Sequence, residues 1–389
     1  MKNKAKKRTF TLSNLLTRLS YFLLILFLVP TAQAGRALVF MKNRESFQGA
    51  QLPVKIQKHL KNLNVFIVEA QDDQQLQAIK NLPGVAYVEK EFNHPVKLEN
   101  IAIEKAEKPW GLDAIKAPRA WEIAGKGKGI RVLVLDTGID PQHPSLKDNF
   151  EKGRDFTGAS KGTFFFDETG HGTHVAGTVA AIENSSGFAG VAPEATILAG
   201  RVCGEMGCNS IGVIEGIDWG VSEKVDVINL SLGSTGASPA TLEAVLRADR
   251  AGVSIVAATG NYGVNEVLFP AAYPSVIAVG AVDRHMQIAK FSQYGPEVTL
   301  VAPGVEIVST YPRAKGSPFF ETFGTSMASP HVAGVVALVR SANKKLTPLE
   351  IKELLIKTAI PLSPNIDNKF GAGLVNAEAA VSEALRLTK

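Results

Sequence analysis

The sequence predicts an α/β domain built in three layers around a mostly parallel central sheet, preceded by a small α+β domain. Three observations lead there: continuous Val/Ile runs without polar alternation, helical periodicity between them, and a change of composition near residue 100. Strands that are apolar on both faces belong to a parallel sheet covered by helices on both sides. The runs predict strands at Ile130–Leu135, Thr196–Arg201, Val227–Leu232, Val253–Ala258 and Val276–Val279. The periodic stretches predict helices at Gly172–Ile182, Ser210–Val221, Ala240–Ala251, Ser326–Ser341 and Thr347–Thr358. The last of these opens on Thr347-Pro348-Leu349-Glu350, a capping box with proline at the first helical position.

Ahead of this domain, Ala37–Phe40, Val65–Val68 and Val85–Val88 read as strands and Gln74–Leu82 as a helix, which makes residues 35–98 the small α+β unit. Residues 99–108 include Glu104, Lys105, Glu107 and Lys108 and read as an exposed linker. The first 34 residues differ again: Lys2, Lys4, Lys6, Lys7 and Arg8 precede an apolar stretch from Tyr21 to Val29, followed by Pro30 and Ala32-Gln33-Ala34. That is the pattern of a secretory signal peptide cut after Ala34. A membrane anchor needs about 20 apolar residues, more than this stretch provides. The expectation is a secreted or periplasmic protein without a stable membrane anchor.

Composition excludes other classes. With 45% hydrophobic and 20% charged residues, the chain is globular rather than disordered. Its net charge of +5 is uneven, because residues 1–106 hold 16 Lys and Arg against 8 Asp and Glu while residues 107–389 hold 26 against 29. The basic excess lies in the leader and the segment behind it, so it is no footprint for nucleic acid. The two cysteines, Cys203 and Cys208, lie close together in a Gly-containing loop. A disulfide suits an exported protein. Two free thiols remain the alternative, since spacing alone does not fix Cβ geometry, and a zinc site lacks further ligands nearby.

Ligands of an open α/β sheet sit outside the carboxyl ends of its strands, so polar residues that follow apolar strands are the first candidates for function. Asp136 ends Val132-Leu133-Val134-Leu135 and opens Asp136-Thr137-Gly138; alone it reads equally as a turn former. His171 lies in Gly170-His171-Gly172-Thr173-His174 at a helix start, and no glutamate stands where a helical zinc motif requires one. His174, one turn on, reads as structural. Ser326 opens a helix in Gly324-Thr325-Ser326-Met327-Ala328-Ser329-Pro330, where it serves as an N-cap or as a nucleophile beside free backbone N–H groups. Asn261 follows a strand in Ala258-Thr259-Gly260-Asn261, where its amide is a turn former or an oxyanion donor. The order Asp, His, Asn, Ser excludes an α/β-hydrolase esterase, which runs Ser, acid, His with a Gly-x-Ser-x-Gly elbow.

On these motifs the chain is similar to the subtilisin-like serine peptidases, or subtilases, over nearly all of residues 109–389. The resemblance implies a serine endopeptidase with Asp136, His171 and Ser326 as triad and Asn261 as oxyanion donor. Ser231, Leu232 and Gly233 resemble the family's substrate-binding strand, and with Ala258, Thr259 and Gly260 they are expected to line the specificity pocket, with Leu268 near its floor. Such a pocket implies preference for small or medium apolar P1 residues. Residues 35–98 resemble the family's inhibitory propeptide, removed by a cut between Phe92 and Ala106 in a processing region over 99–108. The expected partners are protein or peptide substrates and the chain's own propeptide, and the protein is expected to be a monomer. Family members often bind calcium at a loop that Ile182-Glu183-Asn184-Ser185-Ser186-Gly187-Phe188 resembles, but Ser145 stands where the family supplies a carboxylate, and carboxylates give most of the affinity. No cofactor is therefore expected to be required, and calcium at this loop is doubtful.

Overall fold

An antiparallel sheet comes first among the described residues of the computed structural model, which are 35–94, 100–103, 106–158, 164–204 and 207–388. The signal peptide predicted over 1–34 lies outside the described residues. Strands β1 (Gly35–Met41), β2 (Lys55–Leu60), β3 (Val65–Ala70) and β4 (Val85–Lys90) run in the order β2-β3-β1-β4, with helices α1 (Arg44–Gln48) and α2 (Asp73–Lys80). Side chains along β1 alternate between two buried faces. Ala37, Val39 and Met41 join Phe66, Val68 and Ile79 in this unit's own core. Leu38 and Phe40 join Leu60 and Ile67 against Ile211 and Ile214 of the larger domain. A strand buried on both faces reads as a continuous apolar run, which is why β1 is legible in the sequence.

Two short strands, β5 (Asn93–His94) and β6 (Asn100–Ile103), and helices α3 (Trp110–Ala114) and α4 (Ala117–Ala124) lead into a seven-stranded parallel sheet. Its strands are β7 (Arg131–Asp136), β8 (Phe150–Asp155), β9 (Thr196–Arg201), then, after a hairpin of β10 (Cys203–Gly204) and β11 (Gly207–Asn209), β12 (Val227–Leu230), β13 (Ser254–Ala258), β14 (Ile277–Val282) and β15 (Leu300–Pro303). The order is β15-β14-β13-β12-β7-β9-β8. Helices α5 (His171–Ala180), α6 (Ser210–Ser222), α7 (Pro239–Arg250), α8 (Thr325–Ala342), α9 (Pro348–Thr358) and α10 (Ala377–Arg386) cover it, and β16 (Ile307–Thr310) pairs with β17 (Phe319–Thr322) beside it. Val132 and Val134 of β7 face a core with α5 and α8, whereas Leu133 and Leu135 face one with α6 and α7. The three predicted layers are therefore present.

Strand β8, Phe-Glu-Lys-Gly-Arg-Asp, escapes prediction because it is a sheet edge with exposed polar side chains, and β15 because it is short. Strand β12 ends at Leu230 rather than Leu232, as the chain beyond it leaves the sheet. Within 99–108, the described residues 100–103 and Ala106 are docked on the larger domain. Strand β6 pairs antiparallel with β17, Ser317 Oγ donates to the Ile103 carbonyl at 2.5 Å, and Ala106 is buried against Ala181 and Phe188. Glu107 and Lys108 are exposed, but backbone pairing, which composition does not reveal, docks the segment.

Candidate active site

The candidate residues lie at the carboxyl edge of the parallel sheet in two groups, Asp136 with His171 and Asn261 with the helix turn of Ser326. Asp136 is the last residue of β7 and His171 the first of α5, and Nδ1–H of His171 donates to Asp136 Oδ1 at 2.6 Å, each residue being 1% exposed. Asp136 Oδ1 also accepts from the backbone N–H of Thr137 at 2.7 Å, while Oδ2 is buried with no partner among the described residues. A Cβ at Gly172 would lie 2.2 Å from the Gly138 carbonyl and 3.2 Å from Asp136 Cβ, so glycine is what lets α5 settle onto the turn after Asp136. Burial by itself would lower the pKa of His171. The charge and hydrogen bond of Asp136, with the charge of Asp167, outweigh it and hold the imidazole above its ordinary 6.5.

His174 is structural, as the sequence suggests. Its Nε2–H donates to the carbonyls of Ile307 at 3.0 Å and Phe320 at 3.1 Å, tying α5 to β16 and β17, and burial pushes its pKa down to about 3.

Ser326 is half-buried in the first turn of α8, and its Oγ donates to the Ser231 carbonyl at 3.2 Å. Its backbone N–H belongs to the helix start, where N–H groups have no helical acceptor. Asn261 turns Oδ1 onto Thr325, accepting from the backbone N–H at 2.9 Å and from Oγ1 at 2.8 Å, which leaves Nδ2 as a donor. Gly324 has φ 145°, and a Cβ there would lie 3.2 Å from Asn261 Nδ2 and 3.6 Å from the Ser326 nitrogen. Both donors thus border one spot that stays open because residue 324 is glycine.

A relay that the sequence reading missed holds the serine. Pro330 has no N–H, so the helical hydrogen bond to the Ser326 carbonyl is absent. Ser231 Oγ donates to that carbonyl instead at 2.8 Å, Asn229 Nδ2 donates to Ser231 Oγ at 2.9 Å, and Ser329 Oγ donates to Asn229 Oδ1 at 2.8 Å. The available signal was Asn229 itself, a fully buried amide inside the apolar run Val227-Ile228-Asn229-Leu230.

Ser231, Leu232 and Gly233 run out of β12, and Ser234 then pairs with Phe269 in both directions, at 2.9 and 2.8 Å. Ala258 ends β13, Thr259 and Gly260 follow it, and Thr259 accepts from Leu268 N–H at 3.0 Å. Leu268 lies between the two segments, 2.8 Å from the Cβ positions of both Gly233 and Gly260. A cleft of about 670 Å³ opens beside it, bounded by Gly233, Ser234, Tyr262 and Leu268 and, from the first domain, by Tyr87 and Phe92. Cys203 and Cys208 are joined in a disulfide across the β10–β11 hairpin. The outer edge of β11 pairs antiparallel with β5, Cys208 opposite His94 and Asn209 opposite Asn93.

A parallel α/β sheet with a carboxylate, an imidazole, an amide and a serine at its carboxyl edge defines a serine hydrolase. The subtilase family, Peptidase S8, matches residues 127–373. An alkaline protease of Alkalihalobacillus alcalophilus is 39% identical over 331 residues, 85% of this chain and 82% of that protein. Subtilisin Savinase of Lederbergia lenta is 45% identical over 273 residues, 70% of this chain and 98% of that protein. Among solved structures, fervidolysin from Fervidobacterium pennivorans, a keratinolytic enzyme related to subtilisin, superposes with a TM-score of 0.79 at 30% identity over 91% of this chain. The match spans 62% of fervidolysin, less than two thirds of its length. The chain belongs to the subtilase family, and it is a serine endopeptidase acting on protein or peptide substrates.

The relay carries a direct expectation. Asn229→Ala leaves Ser231 Oγ and Ser329 Oγ without their partner, and a buried polar group left unmade costs about 1–3 kcal/mol. Both the thermal midpoint and kcat/KM are expected to fall; an unchanged value of each would sink the relay.

Proposed function

We propose that the chain is exported as a zymogen and that Ser326 is its nucleophile, with His171 as base, Asp136 as its orienting carboxylate, and Asn261 Nδ2 with the Ser326 N–H as the oxyanion donors. The observation that carries this reading is the buried 2.6 Å contact between His171 Nδ1 and Asp136 Oδ1, with the serine in the first turn of α8. With Nδ1–H committed to Asp136, the neutral imidazole has its acceptor at Nε2. Ser326 gives up its bond to the Ser231 carbonyl, passes its proton to Nε2 and attacks the peptide carbonyl. Negative charge then develops on the carbonyl oxygen, which fits the open spot beside Gly324. Loss of such an amide donor costs about 10²–10³ in kcat in subtilisin, where that figure was measured. His171 returns the proton to the leaving amine, and water repeats the cycle on the acyl enzyme.

Residues 35–94 are the inhibitory unit in this reading. Their sheet covers α6 and α7 with Leu38, Phe40 and Leu60, Lys58 pairs with Glu215, and β5 takes the free edge of β11 as an extended substrate would. Strand β6 is held on a different sheet, by β17. The scission that frees the inhibitor therefore falls between His94 and Asn100, narrower than the interval from Phe92 to Ala106. The leader over 1–34 supports export, and no helix among the described residues is long and apolar enough to cross a membrane.

Catalysis by this set of groups needs no cofactor. The loop at 182–188 does not fit calcium, because Asn184 Oδ1 is turned inward and accepts from Ser186 N–H at 3.0 Å, Ser186 Oγ at 2.8 Å and Phe188 N–H at 3.1 Å. Glu183, the nearby carboxylate, pairs with Lys126 at 2.5 Å.

Three measurements follow. Intact mass of the secreted product is expected to show the parent beginning between residues 95 and 100 and Ser326→Ala retaining the inhibitory unit; loss of that unit from both would assign maturation to another protease. A peptide panel is expected to favour small or medium apolar P1 residues, since Leu268 makes the pocket shallow, and efficient cleavage after Arg or Phe would rule this out. Chelation by EDTA is expected to leave the thermal midpoint unchanged; a drop reversed by added calcium would refute the self-closed loop.

A further inference from the structure

The geometry points to Asp167 as a positioning residue that holds the His171–Asp136 pair in its reactive arrangement. This inference rests on the assignment of that pair to catalysis. Asp167 is 7% exposed and accepts six hydrogen bonds, on Oδ1 from Thr137 Oγ1 (2.8 Å), Thr169 N–H (3.0 Å), Thr169 Oγ1 (3.2 Å) and Gly170 N–H (2.7 Å), and on Oδ2 from Thr173 N–H (2.8 Å) and Thr173 Oγ1 (2.7 Å). Every one of these neighbours donates, so a proton on this carboxyl would have no acceptor, and the site is built for the anion. No cation is among these partners. Backbone dipoles and the N-terminus of α5 stabilise the charge instead.

The donors come from both sides of the catalytic pair. Thr137 follows Asp136 directly, whereas Gly170 and Thr173 flank His171. The grip is closed by second bonds. Thr137 Oγ1 accepts from Gly172 N–H at 2.8 Å, and Thr173 Oγ1 accepts from Asp140 N–H at 3.0 Å. One carboxylate thereby fixes the turn that carries the acid and the helical turn that carries the base. An ordinary N-cap satisfies an N–H of its own helix. Asp167 does this and also reaches across to the strand that ends in Asp136, which a cap does not require.

Its charge acts on the same imidazole. Asp136 from the end of β7 and Asp167 from the preceding loop act on His171, and His174 on its own helix is neutral. Tyr311, beyond β16, donates to the Thr169 carbonyl at 2.9 Å, and Arg201, opposite Asp136 on β9, is engaged by Glu168 at 2.7 Å. Tyr311 is kept neutral, first by burial and then by the charge of Asp167. Asp136 and Asp167 both raise His171. Removing the charge of Asp167 lowers the imidazole's pKa, and because the base works in its neutral form, activity then persists to lower pH.

The test is the pH profile of kcat and KM for Asp167→Asn, processed and purified beside the parent. The expected result is a loss of about 10- to 100-fold in kcat, the scale of an ångström-sized misplacement. KM should stay within about threefold, because ground-state binding is untouched, and the acid limb of kcat/KM should move to lower pH. A variant that merely melts earlier, with kcat and the acid limb as in the parent, overturns the proposal. Should Asp167→Asn fail to fold, Thr137→Val and Thr137→Ser decide. Val removes the hydroxyl that joins Asp167 to Gly172 and keeps the charge, so kcat should fall with the acid limb unmoved, and Ser should restore it. Equal kcat for the two overturns the proposal. Ser326→Ala runs alongside: activity surviving in that variant would refute the catalytic assignment itself, whereas an inactive Ser326→Ala beside a parent-like Asp167→Asn refutes only the positioning role.

Discussion

A carboxylate and an imidazole buried 2.6 Å apart impose the main demand on this fold. Taking such groups out of water costs several kcal/mol each, and the cost is recovered only where geometry and remaining hydrogen bonds are good. Asp136 stands at the end of a strand buried on both sides and receives His171 from a helix start that glycine lets approach closely. With Nδ1–H given to Asp136, the acceptor nitrogen of the imidazole is defined before any substrate arrives. Preorganisation of that kind stabilises charge without reorganisation during reaction.

Ser326, the proposed nucleophile, is held by different means. A proline inside α8 frees the Ser326 carbonyl, and the substrate-lining segment supplies the hydroxyl that satisfies it. Ser231 is thus bonded to the Ser326 residue twice, through its own carbonyl and its own hydroxyl. The segment that lines the cleft and Ser326 share one buried network anchored on Asn229. Strand β11 is stapled to β10 by the disulfide. The first domain fills the remaining edge of β11 with β5, by antiparallel backbone pairing.

Much of this was legible because buried parallel strands leave unmistakable apolar runs, and because residues that follow them fall at the edge where chemistry occurs. Asp136 and Asn261 stand in such positions, and His171 and Ser326 stand in the first turns of α5 and α8. The edge strand Phe150–Asp155 was not legible, since one solvated side leaves polar residues that resemble a loop. The docking of 100–103 was hidden for another reason: its hydrogen bonds are backbone to backbone with β17, and side-chain composition carries no record of them. Asn229 and Asp167 belong to a third case. Their roles depend on partners far away in sequence or across a turn, and a lone polar residue beside a motif does not announce which neighbours it will meet.

The central claim is that Ser326, activated by His171, is the nucleophile. Reaction of the processed enzyme with a serine-directed phosphonate, followed by peptide mapping, tests it most directly. The account predicts a single adduct on Ser326 whose formation is strongly slowed in His171→Ala. An adduct on another serine, or labelling of Ser326 at an equal rate without His171, would contradict it.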